Sequence, residues 1–510
     1  MSDKKFLSVF TPSRTPPEDL ETIFVQRHAL LKDAVERVQE SAETGHKHHL
    51  LFAGPRGSGK THLVTLLVHR LSGEKNLDDR LHIAWLNEDE TSTTLLELLL
   101  KVYGALVKRY PESYQAESLE PAFDLAADAA LEFVKKVLLK ALGKHTLLIV
   151  MENLDALFDG LGDRGQKQLR AFIQEHPVFC IVGTAQTLVN DLTDRSRPFY
   201  GFFQTEHMKP LSREEAAELL MNIARHNDQT DVVAFLETAR GRARVRALHH
   251  LSGGNHRIYI VLSQFITRDN IDSLVAPFQK MVDELTPYYQ ERIRWLPPQQ
   301  RKIVEHLCKS EGTVPVKELA RQLFASHQTI SNQLKDLREK GYIKASQRGR
   351  ESLYEVTEPL MRICVEVKEN QNYEPLRLLV DFVRVWYDDR ELDQRLQRYD
   401  AKSLARQYLQ AAVERNASDG NLRQQLLIDG IREKLSPTLP MGQLEQMCTD
   451  LQGSPEELAL AVQSLSEGNT EEALELIAPV IDSKNALHRI VALNLRASVF
   501  ASQGEVQKAI

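Results

Sequence analysis

The chain carries Gly54-Pro55-Arg56-Gly57-Ser58-Gly59-Lys60-Thr61, a complete G-x-x-x-x-G-K-[ST] pattern, directly after the apolar run Leu50-Leu51-Phe52-Ala53. A backbone that wraps phosphate oxygens with its own N–H groups must take positive φ angles and tolerate close approach, which Gly54, Gly57 and Gly59 permit. Pro55, Arg56 and Ser58 complete the loop. Lys60 is placed to reach the β- and γ-phosphates of a nucleotide, and the Thr61 hydroxyl to ligate Mg²⁺. The helix opening at His62 turns its positive end toward the anion. The implied ligands are ATP and Mg²⁺. A glycine-rich strand–helix turn without a ligand would account for the glycines, but not for Lys-Thr in this order.

A second constellation lies downstream. The β-type run Thr146-Leu147-Leu148-Ile149-Val150-Met151 ends in Glu152-Asn153-Leu154-Asp155. Ligands bind at the carboxyl ends of strands in open α/β sheets, so acids there supply the metal side of a nucleotide site. Further apolar runs, Leu81–Asn87 and Val178–Gln186, read as buried parallel strands, and Thr94–Leu106, Pro121–Leu142 and Gln166–Gln174 as helices. These runs imply an α/β P-loop NTPase with a parallel sheet; resemblances to known families imply that it is of AAA+ type with a helical lid, followed by a winged helix and an all-α repeat region.

These boxes together resemble the AAA+ group that contains the origin-recognition initiators and the STAND ATPases, over about Phe24 to Arg268. Ile23–Leu31 is similar to the "FVGREEEL" box of that group. The resemblance implies that Val25 and Arg27 contact the nucleotide, although Gln26 replaces the usual Gly and His28 the usual Glu. In the acidic cluster it implies the register acid, Glu, apolar, Asp. That makes Glu152 the metal acid, puts Asn153 where the catalytic Glu would stand, and leaves Asp155 as the trailing acid. The shifted register would put Met151 at a hard cation, which a thioether cannot serve. An amide orients water but accepts no proton, so the expected ATP hydrolysis is slow. Thr184 or Gln186, at the exit of the Val178 strand, stands at the sensor 1 position. Arg195 and Arg197 are either fingers for a neighbouring nucleotide or solvated loop charges. Gly253-Gly254-Asn255-His256-Arg257 resembles the Gly-Gly-Asn-Pro-Arg turn at sensor 2, with Arg257 retained and His256 in place of Pro.

The segment from Thr286 to Lys368 follows a different plan. Helices over Pro297–Lys309, Pro315–Leu323 and Ser326–Lys340 precede a two-stranded wing through Val356, which is similar to MarR-type winged helices. Ile330, Leu334 and Leu337 give the third helix a core face and leave Gln328, Thr329, Ser331, Asn332 and Lys335 outward. Eight basic residues from Lys317 to Arg350, including Arg348 and Arg350 at the wing tip, suit double-stranded DNA. A packing role is the alternative. Beyond Glu374 the chain reads as helical, with Gly468–Leu474 and Gly504–Ile510 repeating near the tetratricopeptide period. A generic helical bundle is the alternative there. The chain ends inside the second copy, so either a longer array or a covering partner is expected.

Composition is compatible with this plan. The 510 residues imply several domains, set here at 1–208 (ATPase core), 209–285 (lid), 286–370 (winged helix) and 371–510 (repeats). A net charge of −7 speaks against wholesale nucleic-acid coating, though a local basic patch is allowed. Cys180, Cys308, Cys364 and Cys448 are scattered, a reduced, cytoplasmic pattern. No run of apolar residues is long enough for a membrane span, and the charged start lacks a signal peptide's apolar core. The reading preferred is an ATP/ADP switch of STAND type that forms a nucleotide-dependent homo-oligomer and senses a protein partner through its repeats. The competing readings are an initiator-like or transcription-regulating DNA-binding ATPase and a scaffold with a relic site.

Overall fold

A computed structural model describes residues 15–25, 27–54, 57–86, 91–186, 195–266, 280, 282–283, 286–287, 289–310, 312–348, 351–369 and 375–502. Contacts divide the chain into two compact units. One is Met1–Pro210 with Asn255–Arg257, and the other Leu211–Gly254 with Ile258–Ile510.

The first unit runs α1 (Pro17–Thr22), α2 (His28–Glu43), β1 (Leu50–Ala53), α3 (Lys60–Gly73), β2 (Leu81–Leu86), α4 (Leu95–Arg109), α5 (Ala127–Leu142), β3 (Thr146–Met151), α6 (Leu154–Glu175), β4 (Phe179–Ala185) and β5 (Gln204–His207). The five strands form one parallel sheet in the order β2-β3-β4-β1-β5. Every residue of β1, β3 and β4 is buried, as expected for central strands covered on both faces. Leu147, Ile149 and Met151 join the core formed with α4, α5 and α6. The alternation of a strand leaves Leu148 and Val150, equally buried, for the opposite face. Because β1 lies between β4 and β5, and β3 beside β4, the loop after β1 and the acids after β3 emerge at the same edge of the sheet.

Three sequence expectations are corrected here. Pro121–Leu142 is not one helix: residues Ala116–Asp124 form a 3₁₀ helix around Pro121, and Leu125 is extended before α5 begins. Proline has no N–H to donate to an α-helical turn, so the break falls just after it. The helix expected over Gln166–Gln174 is instead the longer α6, kinked where Gly162 takes φ 57°. The polar, proline-containing stretch Phe6–Pro17 reads in the sequence as an arm laid over a domain; residues 6–14 lie outside the described residues, and Pro17 is the first residue of α1, where its missing N–H costs nothing.

The second unit begins with α7 (Arg213–His226), opened by a Ser212/Glu215 capping box, then α8 (Thr230–Glu237), α9 (Ala239–Ser252) and α10 (His256–Ile266), whose first two residues group with the first unit. The winged helix comprises α11 (Pro298–Lys309), β6 (Val314–Pro315), α12 (Val316–Gln322), α13 (His327–Glu339), β7 (Ile343–Arg348), β8 (Glu351–Val356) and α14 (Pro359–Glu369), with strand order β6-β8-β7. The remaining helices are α15 (Arg377–Trp386), α16 (Asp389–Arg398), α17 (Leu404–Asp419), α18 (Leu422–Leu435), α19 (Met441–Gln452), α20 (Glu456–Ser466), α21 (Thr470–Ile481) and α22 (Ala486–Ser502). Ala239 and Ala243 of α9 share a core with α18 to α22. Of the repeated segments, Gly468–Leu474 forms the α20–α21 turn, while Gly504–Ile510 lies outside the described residues. Among the described residues, no helix is long and apolar enough to cross a membrane.

Candidate functional site

The glycine loop is held by its neighbours before it meets any ligand. Gly54 N–H donates to the Ala185 carbonyl of β4 at 3.1 Å, and the Ala53 carbonyl accepts from Met208 N–H at 2.7 Å. A Cβ on Gly54 would stand 2.8 Å from both the Met208 Cβ and its carbonyl oxygen, so only glycine fits. Gly57 (φ 79°) and Gly59 (φ 83°) take the left-handed conformation, as the loop requires. Pro55 and Arg56 lie outside the described residues. Lys60 is buried, and its ammonium donates to the Gly54 carbonyl at 2.6 Å, directly over the loop.

At the end of β3 the Glu152 carboxylate is gripped from two sides. The Thr61 hydroxyl donates to Oε2 at 2.7 Å, and the Trp85 indole N–H, from β2, donates to Oε1 at 3.0 Å. The geometry therefore joins Thr61 and Glu152, the two residues assigned to the metal. Asn153 is buried with left-handed backbone (φ 55°), and its N–H donates to the Thr184 hydroxyl at 3.3 Å. Thr184 of β4 thus sits beside the acidic turn. Asp155 accepts from Gln186 N–H at 3.2 Å, and burial raises its pKa above the usual carboxylate range.

Arg27 and His62 have side-chain partners within the protein. The guanidinium of Arg27 donates to the Ser58 carbonyl at 2.5 Å and the Lys209 carbonyl at 2.6 Å, which makes it a brace for the loop. His62 turns its ring away from the loop: Nε2 meets the Leu20 carbonyl at 3.0 Å and the ring packs on Phe24. What His62 can offer an anion is its main-chain N–H at the start of α3. Burial, with Arg27 nearby, pushes the His62 pKa down to about 4. Val25 is buried beside Phe24 in the same box.

The turn Asn255-His256-Arg257 docks on the loop. His256 N–H donates to the Gly57 carbonyl at 3.1 Å, Asn255 Oδ1 accepts from Arg257 N–H at 3.0 Å, and the Asn255 amide lies against the Gly57 Cα where a side chain would stand. The His256 imidazole lies near Gly59 and is held well below its ordinary pKa by burial, with Arg27 and His62 adding to the effect. Trp85 and the amide of Asn255 are site residues that the sequence reading passed over. No local signal marks Trp85, which resembles any strand aromatic. Arg197 approaches Asp163 at 4.0 Å, and Arg195 is exposed.

These residues fit a magnesium nucleotide. The Ser58 hydroxyl, in the middle of the loop, is buried without a hydrogen-bond partner, and Asp155 Oδ1 is in the same condition near the metal acid. Unpaired buried polar atoms are rare and call for an explanation. An all-oxygen metal set of hydroxyl and carboxylate beside a buried lysine matches a hard cation and a phosphate.

In the winged helix, Ile330, Leu334 and Leu337 are fully buried, and Gln328, Ser331, Asn332 and Lys335 are exposed on the opposite side of α13. Thr329 departs from the expectation: it is half-buried, and its hydroxyl pairs with Ser326 in the helix cap. Lys317, Arg321, Lys335, Arg338 and Lys344 are exposed, with Lys344 paired to Glu355 at 3.2 Å. The Arg348 side chain, Gly349 and Arg350 lie outside the described residues.

The strand order, the left-handed glycine loop between β1 and α3, and the acid at the end of β3 define a P-loop nucleotide-binding fold of the AAA+ kind, joined to a winged helix and a helical region. Known proteins resemble it piecewise. Residues 296–350 match the MarR family. An uncharacterized HTH-type transcriptional regulator of Methanocaldococcus jannaschii is 24% identical over 201 residues, 38% of this chain and 49% of that protein. A replication factor C small subunit of Sulfurisphaera tokodaii is 32% identical over 114 residues, 22% of this chain and 32% of that protein. The chain therefore spans about half the length of the first relative and about a third of the second. Among solved structures, a Walker-type ATPase of Pyrococcus abyssi aligns over 67% of this chain and 96% of its own, with 14% identity and a TM-score of 0.47.

Proposed function

We propose that the chain binds ATP with Mg²⁺ and acts as a slow ATPase switch of STAND type, its nucleotide state coupled to self-association or to a protein partner on the C-terminal helices. The observation that carries this reading is the 2.7 Å bond from Thr61 to Glu152, which brings the metal-side residues at the start of α3 and the end of β3 together. Lys60 supplies a buried positive charge for the β- and γ-phosphates, and the main-chain N–H groups of Gly57, Gly59 and the start of α3 supply directed donors. Thr61 and Glu152 would hold a magnesium ion, which would supply charge neutralisation on the phosphates when bound. Glu152 enters the site oriented by Trp85, so little reorganisation is needed on binding. Asn153 can hold a water by hydrogen bonding but accepts no proton, so turnover falls well below the ~1–10³ s⁻¹ of typical enzymes. Thr184 and Arg257 are assigned to reading the γ-phosphate, and Val25 to the base. Arg27 contributes by holding the Ser58 carbonyl.

The test is Lys60→Ala. Nucleotide affinity and turnover should both collapse while the chain stays folded, and solution mass should cease to differ between ADP and ATP. Unchanged affinity and rate would remove this reading.

A second reading, a DNA-binding regulator that uses the same ATPase, is favoured by the MarR match over 296–350 and by the exposed polar face of α13. Duplex affinity measured at two salt concentrations, with and without ATP, separates the two: phosphate contacts release counterions and weaken steeply with salt. Absence of salt-dependent binding in either state rules out the second reading.

A further inference from the structure

Among the described residues, three that are not glycine take positive φ: Asn153, Asp228 and Phe324. Asn and Asp tolerate the left-handed region because their short polar side chains bond locally, whereas a bulky aromatic there is an outlier. Phe324 (φ 51°) lies in the turn between α12 and α13. Ala325 N–H donates to the Ala320 carbonyl at 3.0 Å, and Phe324 N–H points to the Arg321 carbonyl at 3.5 Å. This pair is a Schellman motif with Phe324 at the left-handed position, which usually belongs to glycine. The chain follows that preference elsewhere. The same six-to-one bond closes α13 from Tyr342 to Leu337 with Gly341 left-handed, and α20 from Asn469 to Ser464 with Gly468 left-handed.

The fold gains nothing from the exception. Phe324 is 97% exposed, so its ring packs against no part of the chain, and the turn would form more easily with glycine. A strained conformation carrying a fully exposed aromatic calls for a role outside the fold. Its position suggests which. Phe324 stands two residues before Ser326, the cap of α13, and the N-terminal residues of a recognition helix are those that reach base edges. Its exposed neighbours along the chain are Arg321, Gln322, Ser326, His327 and Gln328, which are polar or basic. In the major groove the distinct apolar feature is the thymine 5-methyl group.

We propose that Phe324 is a base-reading side chain, held at the entry of α13 to contact a thymine methyl in the major groove of duplex DNA. This rests on the DNA-binding reading given above. The left-handed backbone presents the ring away from the helix pair, and Arg321 lies one turn earlier for the adjacent phosphate.

The experiment uses the full chain and a random-sequence duplex pool enriched on it, followed by replacement of each thymine of the enriched duplex with uracil, which lacks only the methyl. Uracil at one position should lower wild-type affinity by ~5–10-fold, in line with the cost of a single altered base pair. Phe324→Gly should lower affinity by a similar factor, lose its response to uracil at that position, and melt no lower than wild type because glycine relieves the turn. If the pool yields no duplex bound in a salt-dependent way, the DNA-binding reading fails and takes this role with it. If a duplex is bound with the expected salt dependence but neither uracil nor Phe324→Gly changes affinity, the role of Phe324 alone is overturned. A change in solution mass with unaltered duplex affinity would likewise overturn it, in favour of a protein contact.

Discussion

The Trp85 indole donates to Glu152 Oε1 at 3.0 Å while the Thr61 hydroxyl donates to Oε2 at 2.7 Å, so one carboxylate is oriented by two neighbouring elements at once. Trp85→Phe keeps the ring in β2 but removes one of these donors. Hydrogen bonds to charged groups contribute about 1.5–3 kcal/mol, roughly a tenfold or greater effect. The expected outcome is a loss of about tenfold in nucleotide affinity with Mg²⁺ and little change without it, checked by calorimetric titration in both conditions. Equal losses with and without the metal would show that Trp85 serves only packing.

Asn153, which the proposed reading puts where a catalytic acid would stand, has a left-handed backbone conformation (φ 55°). Asn153→Glu should accelerate turnover, because a carboxylate can accept the proton of an attacking water. The same change should lower thermal stability by about 1–2 kcal/mol, since glutamate lacks the local hydrogen bonding that eases asparagine into this region. Steady-state phosphate release and a thermal melt on one preparation check both arms. A faster enzyme with an unchanged melt would mean that the backbone relaxes around the new residue.

Much of this was legible in the sequence, and the reason is chemical. A phosphate loop constrains residue types at consecutive positions, so Gly54 to Thr61 could be read directly. The Glu152 register came from the family resemblance, with the shifted register rejected because a thioether does not serve a hard cation; in the structure Glu152 accepts from Thr61. What escaped were relationships across long sequence separations. Nothing local in Leu81–Leu86 marks Trp85 as the partner of an acid 67 residues away. Nor does Asn255 announce that its amide covers Gly57. The protein partners of the Arg27 and His62 side chains were not legible either, because side-chain direction is set by packing that a motif does not encode. Helix limits failed where one residue intervened, at Pro121 and at Gly162.

In the second unit, α9 carries Arg240, Arg242, Arg244 and Arg246, which pair with Glu457, Glu467 and Glu472, Glu391, and Glu467 respectively. Glu472 also accepts from Ala239 N–H at 2.6 Å and from the Ser464 hydroxyl at 2.9 Å. Burial pushes its pKa up, but the Arg242 guanidinium and these donors outweigh that and hold it below the ordinary value. A depressed carboxylate stabilises the fold above its unfolded pKa, and the contribution disappears as pH falls through the folded value. Glu472→Gln should therefore destabilise the chain at pH 7 by about 1–3 kcal/mol, as expected when one partner of a partly buried pair is removed. The difference from wild type should shrink in strongly acidic buffer. Urea melts at the two pH values measure it, and an equal deficit at both would assign the effect to shape rather than charge.

His62 supplies the opposite pH dependence, and it acts beside the glycine loop. Burial pushes its pKa from 6.5 down to about 4, the Leu20 carbonyl opposes this, and the charge on Arg27 adds to the depression. Above pH ~6.5 the ring is neutral in both folded and unfolded chains, so it makes stability no function of pH there. Between ~6.5 and ~4 the unfolded chain binds a proton that the folded chain refuses. Stability then falls by about 1.4 kcal/mol per pH unit for this group alone. His49 and His82, also depressed to about 4 by burial, act in the same direction. Wild type should lose stability steadily from pH 6.5 to 4.5, and His62→Gln should lose it less steeply, with the slope reduced rather than abolished because the other depressed rings, His256 and His250 among them, remain. Denaturant melts across that range provide the comparison. Parallel slopes for the two proteins would mean that the His62 ring accepts its proton while folded, which its burial against Phe24 argues against.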